Sequence, residues 1–143
     1  MDYNNTMNKQ WHQDIFDMHF TYGVHEWIMR NIDDKETMAK FLKFRMDFLD
    51  EELNETKAAI ANKDPEEVVD GLIDLCVIAI GTLDAFGVDA QEAWRQVHTA
   101  NMSKKVGVKE SRPNPLGLPD LIKPEGWQGP DHESNTGYFS HAL

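Results

Sequence analysis

The chain has 143 residues, 41% of them hydrophobic, with a single cysteine, and 14 Lys and Arg against 25 Asp and Glu for a formal charge of −11. That length supports one domain, residues 1–143, with a core that needs no disulfides. So acidic a surface excludes nucleic acid or an anionic membrane as the main partner. No basic stretch followed by an apolar one opens the chain, and a charge interrupts every apolar run before it reaches membrane-spanning length, so the expected setting is cytoplasmic.

Residues 1–8 are polar and expected to fray. From about Gln10 to Tyr22, Trp11, Ile15, Met18 and Tyr22 recur at helical spacing and stop at Gly23, which predicts a first helix. Periodicity weakens between Val24 and Lys35. Asp33 or Asp34 can cap a second helix over about 36–62. Asn62, Lys63, Asp64 and Pro65 make a turn, with Asp64 as cap and Pro65 at the first helical position of a third helix running to about Phe86. Its run Leu75–Ile80 is apolar on nearly all sides, so it should be the most buried helix, with Cys76 a small hydrophobe inside it. Asp89 opens a fourth helix carrying Ala93, Trp94, Val97 and Met102. The expected fold is therefore an all-α four-helix bundle over about 10–106. A Pro/Gly-rich tail over about 107–143 is expected to wrap it and strap the site. The central helix is apolar around more of its circumference than one small bundle covers, which predicts self-association.

Chemistry concentrates in FLKFRMDFLDEELNETKAAIANKDPEEVVDGLIDLCVIAI, residues 41–80. At about 100° per residue, Glu51, Glu52 and Glu55 project the same way as Phe41, Phe44 and Phe48. An apolar stripe turns acidic without changing face. On the third helix Asp74 interrupts Leu72, Ile73, Leu75, Cys76, Val77 and Ile78, and Asp70 lies one turn earlier on the same side. Burying lone carboxylates is costly, and few basic residues stand nearby. A divalent cation resolves the cost most simply, and oxygen ligands suit Mg²⁺ or Mn²⁺. Glu66 and Glu67 occupy the first helical turn, where the helix dipole alone explains them. On the fourth helix Asn101 and Lys104 share a face with Trp94 and Val97 and suit phosphate oxygens. The six histidines show no ligand spacing, and no Glu has a His three residues on, which argues against a di-iron bundle.

EELNE, DGLIDLCVIAIGTLDAFGVD and AWRQVHTANMSK, in that order, resemble the MazG-type all-α nucleotide pyrophosphohydrolases, especially the small bacteriophage forms. The likeness spans Phe44–Lys104, with a weaker echo in KPEGWQGPD. It implies hydrolysis of a nucleoside triphosphate, dGTP being one candidate, to the monophosphate and pyrophosphate, in phage nucleotide-pool remodelling within the host cytoplasm. It also implies a homodimer or homotetramer. The family's EExxE falls on Glu51, Glu52 and Glu55, and the Asp of its ExxD on Asp74. Gly71 stands where the Glu of that motif belongs, leaving Asp70 as the substitute, although Glu67 with Asp70 also fits ExxD. The expected site thus has Glu52, Glu55, Asp70 and Asp74 on Mg²⁺, Glu51 orienting or deprotonating water, and Asn101 and Lys104, which match the family's NxxK, holding the departing phosphates. Arg45 would assist on the phosphates. Asp17, His19, Trp27 and Phe41 would meet the base. The competing class is a non-catalytic acidic helical protein that binds a structural cation or inhibits a basic partner, but such a mimic would turn its acids outward.

Overall fold

A computed structural model describes residues 10–111, 116, 117 and 119–143. The expected fraying of residues 1–8 falls outside that set. The fold is all-α, and the described residues form five helices where the sequence reading placed four: α1 Trp11–Thr21, α2 Val24–Asn31, α3 Lys35–Ala61, α4 Pro65–Ala85 and α5 Ala90–Met102. The missed helix is α2. Gly23, at φ +78°, turns the chain between α1 and α2, a conformation glycine adopts without steric penalty. Two short strands, β1 Lys105–Gly107 and β2 Asp120–Ile122, pair antiparallel, and a 3₁₀ turn covers Phe139–His141, so the tail is less irregular than its composition suggests.

The boundaries of the long helices follow from their caps. Asp34 accepts a hydrogen bond from the Thr37 amide (3.1 Å) and starts α3, while Asp64 accepts one from the Glu67 amide (3.2 Å) with Pro65 behind it and starts α4. Between them Lys63 takes φ +56° to close the turn. The resulting hairpin is antiparallel. Thr56 meets Gly71, Arg45 bonds Thr82, and Phe41 packs on Phe86, each step back along α3 matched by an equal step forward from α4.

The chain forms two compact units: the part up to Ala90 together with Thr136–Leu143, and Gln91–Asn135. The core of the first gathers Ile28, Met38, Ala85, Phe86 and Ala142, with Trp27, Phe41 and Phe139 against it. Trp27, Phe41, Phe86 and Phe139 form a continuous line of rings, with centroids 5.2, 5.7 and 4.3 Å apart. The end of the tail packs on this core rather than on the acidic turn. The Tyr138 amide donates to the Phe86 carbonyl at 2.6 Å, and a Cβ on Gly137 would lie 2.0 Å from that same oxygen. In the second unit the Trp127 indole N–H donates to the Ala100 carbonyl (2.9 Å), and the Asp131 amide donates to Gln96 Oε1 (3.1 Å).

Burial differs from the expected pattern in four places. On α1 the inward face is Ile15 and His19, whereas Trp11, Met18 and Tyr22 are exposed. Phe44 is exposed and stacks on Phe48 instead of entering the core. On α5 Ala100 is buried while Trp94, Val97 and Met102 are not. Helix α4 is buried on one side only: Val69, Leu72, Ile73 and Cys76 are exposed, so Cys76 is not a core residue within one chain.

Candidate active site

Helices α3 and α4 carry the five carboxylates. Glu52 and Asp74 are half-buried, but Glu51, Glu55 and Asp70 are exposed, so the inward placement that set the acidic mimic aside holds only for the first two. The Glu52 carboxyl is pushed above the ordinary carboxylate range, first by desolvation and then by the charges of Asp74, Glu55, Glu51 and Asp70. Acids from both helices therefore act on one point. Among the described residues none of the five has a basic partner within ion-pair distance. Among the described residues these carboxylates are not a group whose ligand atoms lie within 4.8 Å of one another, so they share a field without forming a closed ligand set.

The packing at Gly71 leaves no space for the Glu that the resemblance would put there. A Cβ at this buried position would lie 2.1 Å from Thr56 Oγ1 and 3.1 Å from Thr56 Cβ, so the hairpin is too close there for any side chain. A Glu could not be housed without parting the helices. The Thr56 hydroxyl donates to the Glu52 carbonyl (2.8 Å), tying the contact to the acidic turn. Between the two alternatives for the remaining acid, Asp70 acts electrostatically on Glu52, whereas Glu67 is not among the charges that do.

The other residues singled out from sequence divide between the two units, Arg45, Trp27 and His19 in the first and Asn101 and Lys104 in the second. Arg45 was expected on the phosphates, but its guanidinium donates to Thr82 Oγ1 (3.1 Å) and the Ile78 carbonyl (3.0 Å), bracing the hairpin. Burial lowers its pKa. Trp27, expected to stack on a base, packs on Phe41. His19 is 4% exposed, with Nδ1 2.7 Å from Asp84 Oδ2. Within the second unit, the ammonium groups of Lys104 and Lys123 lie 5.2 and 5.0 Å from the Trp127 ring centroid, a cation–π arrangement of two lysines on one indole. Asn101 is exposed, and its carbonyl accepts the Lys104 amide (3.1 Å). Beside them Gln96, Thr99, Ala100, Ser103 and residues 124–129 line an open groove of about 480 Å³.

The sequence reading missed His25 and Asp84. His25 Nε2 lies 2.7 Å from the same Asp84 Oδ2 that meets His19. Two imidazoles therefore converge on one carboxylate. Burial raises the Asp84 pKa, but the bonds from both histidines outweigh it and hold the carboxyl below its ordinary value. Ligand spacing could not reveal this trio, because His19 and His25 belong to different helices across the Gly23 turn. The available signal was Asp84, an acid near the C-terminal end of an apolar helix.

Fold and site together define an all-α protein with an unpaired carboxylate cluster on a helical hairpin. Residues 23–101, more than half of the chain, match the phosphoribosyl-ATP pyrophosphohydrolase family. The chain belongs to that family, which lies within the MazG-like all-α superfamily and whose members hydrolyse a phosphoric anhydride, generally with divalent metals. No curated protein and no solved structure matches it. No single described helix is long and apolar enough to cross a membrane.

Proposed function

We propose that the protein is a Mg²⁺-dependent nucleoside triphosphate pyrophosphohydrolase that cleaves between the α- and β-phosphates and releases a nucleoside monophosphate and pyrophosphate. The observation that supports this reading is the charge that Glu51, Glu55, Asp70 and Asp74 exert on Glu52, with no basic partner for any of the five among the described residues. Mg²⁺, or Mn²⁺ in its place, would neutralise phosphate charge and lower the pKa of a bound water. Glu52, Glu55, Asp70 and Asp74 are the ligands in this reading. Glu51 projects about 100° from Glu52 on the same helix and takes the proton of the attacking water. Asn101 and Lys104 hold oxygens of the departing pyrophosphate. Arg45 acts instead as a brace. dGTP remains one candidate substrate, with a role in phage nucleotide-pool remodelling.

A homodimer or homotetramer belongs to the same proposal. Val69, Leu72 and Ile73 on α4 are 63%, 53% and 54% exposed, and Met46, Leu53 and Ile60, spaced seven apart on α3, are 42%, 41% and 61% exposed. Exposed apolar residues in this number on paired helices support an interface between copies. The catalytic reading is tested by incubating the protein with Mg²⁺ and a panel of NTPs, dNTPs and phosphoribosyl-ATP, with products separated by chromatography. Monophosphate and pyrophosphate should appear together. A diphosphate nucleotide with orthophosphate as first products, or no turnover across the panel, overturns it.

A further inference from the structure

We propose that His19, His25 and Asp84 form a second metal site, suited to a transition-metal ion such as Zn²⁺ and separate from the carboxylate cluster. Asp84 lies ten residues beyond Asp74 on α4, about 15 Å along the helix. The three ligands come from α1, α2 and α4, so packing of these helices fixes their approach before any ion arrives.

The geometry is close to that of a bound ion. His19 Nδ1 and His25 Nε2 each lie 2.7 Å from Asp84 Oδ2, and one ligand atom from each residue lies within 4.8 Å of the others. An ion bonded to nitrogen at about 2.0–2.1 Å and to oxygen at about 2.0–2.2 Å needs its ligand atoms roughly 3 Å apart or slightly more. For an ion to sit where hydrogen bonds now run, each nitrogen–oxygen pair must open by a few tenths of an ångström, while the two histidine nitrogens, within 4.8 Å of each other, settle to a similar spacing. In the neutral imidazoles the proton facing Asp84 moves to the other ring nitrogen, leaving a lone pair for the metal. Two imidazoles with one carboxylate select Zn²⁺, Co²⁺ or Fe²⁺ over Mg²⁺, the reverse of the all-carboxylate cluster.

Access and orientation are also provided. The His19 and Asp84 side chains are 6% and 14% exposed and that of His25 is 25% exposed, so the site is reached from the His25 side. The Phe16 ring packs on the His25 ring at 4.6 Å and holds its plane. Arg45 works against tight binding. Its guanidinium and the His19 ring both lie over Gly81, where a Cβ would be 2.6 Å from one and 3.2 Å from the other. That positive charge opposes a bound cation and lowers the affinity.

The test uses the full chain in a large excess of Mg²⁺, which keeps a hard ion on the carboxylate cluster. Titration with Co²⁺ is followed by visible absorption, because nitrogen ligation at low coordination number gives bands several-fold stronger than octahedral oxygen ligation. One equivalent should saturate the band, and Zn²⁺ should remove it. His25→Ala or Asp84→Asn should weaken binding at least tenfold, while the double variant Glu52→Gln, Asp74→Asn should retain it. A wild-type spectrum without the band, or a band indifferent to His25→Ala, reduces the trio to a hydrogen-bonded brace and overturns the proposal. Should a variant fail to fold, the wild-type spectrum decides alone. Hydrolysis enters none of these measurements, so the site stands or falls apart from the proposed activity.

Discussion

At Gly71 a single missing side chain sets which acids the site can use. Gly71→Ala should destabilise the protein by about 1–3 kcal/mol, the usual cost of overpacking, because its methyl carbon meets Thr56 Oγ1. Thr56→Ala in the same chain should recover part of that loss. Denaturant melts of the two single variants and the double variant check this, and strict additivity would show that the contact is not the cause. Asp74 offers the complementary case. Without metal, Asp74→Asn should melt at or above the wild-type temperature, since it removes one of the charges repelling Glu52. It should also abolish hydrolysis and most of the stabilisation that Mg²⁺ gives, because an ion bound only to the folded state stabilises by mass action. Melting curves in EDTA and in Mg²⁺ separate the two effects. The carboxylates were legible in the sequence because helical spacing alone aligns Glu51, Glu52 and Glu55 and sets Asp74 in an apolar run. The partners of Arg45 and His19 were not, since Thr82 and Asp84 are distant in sequence and reach them only through helix packing.

At the scale of elements, the caps made α3 and α4 legible to within a residue or so, because Asp34, Asp64 and Pro65 act locally. Helix α2 escaped because its stripe is short and its start is a glycine rather than a side-chain cap. Helix α5 has its own local signature. Glu92 in its first turn accepts hydrogen bonds from Arg95 at 2.8 and 2.6 Å, and these, with Gln96, hold its pKa at about 2. A depressed carboxylate contributes stability above its unfolded value, 4.5, and loses it as pH falls towards 2. Glu92→Gln should therefore lower the melting temperature slightly at pH 7, and the difference from wild type should vanish across that acid window. A constant difference from pH 7 to pH 2 would mean that charge is not responsible. The pair is exposed, so the effect should be small.

For the whole molecule, the exposed faces of α3 and α4 predict assembly. Light scattering should report at least a dimer at micromolar concentration, and Ile73→Asp should shift it towards monomer. A wild-type monomer would remove the proposed interface. That α4 carries more apolar surface than its own bundle covers was legible in the sequence. Which face stays open was not, because that depends on how α1 and α3 divide the remaining surface.

The C-terminal strap bears on synthesis. Phe86 needs Tyr138 and Phe139 to complete its surroundings, yet 52 residues separate Phe86 from Tyr138. At ~5–20 residues per second, a ribosome takes roughly 3–10 s to cover that distance. Throughout that interval the nascent hairpin presents an uncapped aromatic end, long after α3 and α4 have the residues to pair. The helices can form early and the core closes late, so the newly made chain has several seconds in which a chaperone or another nascent chain can occupy the place reserved for its own last turn.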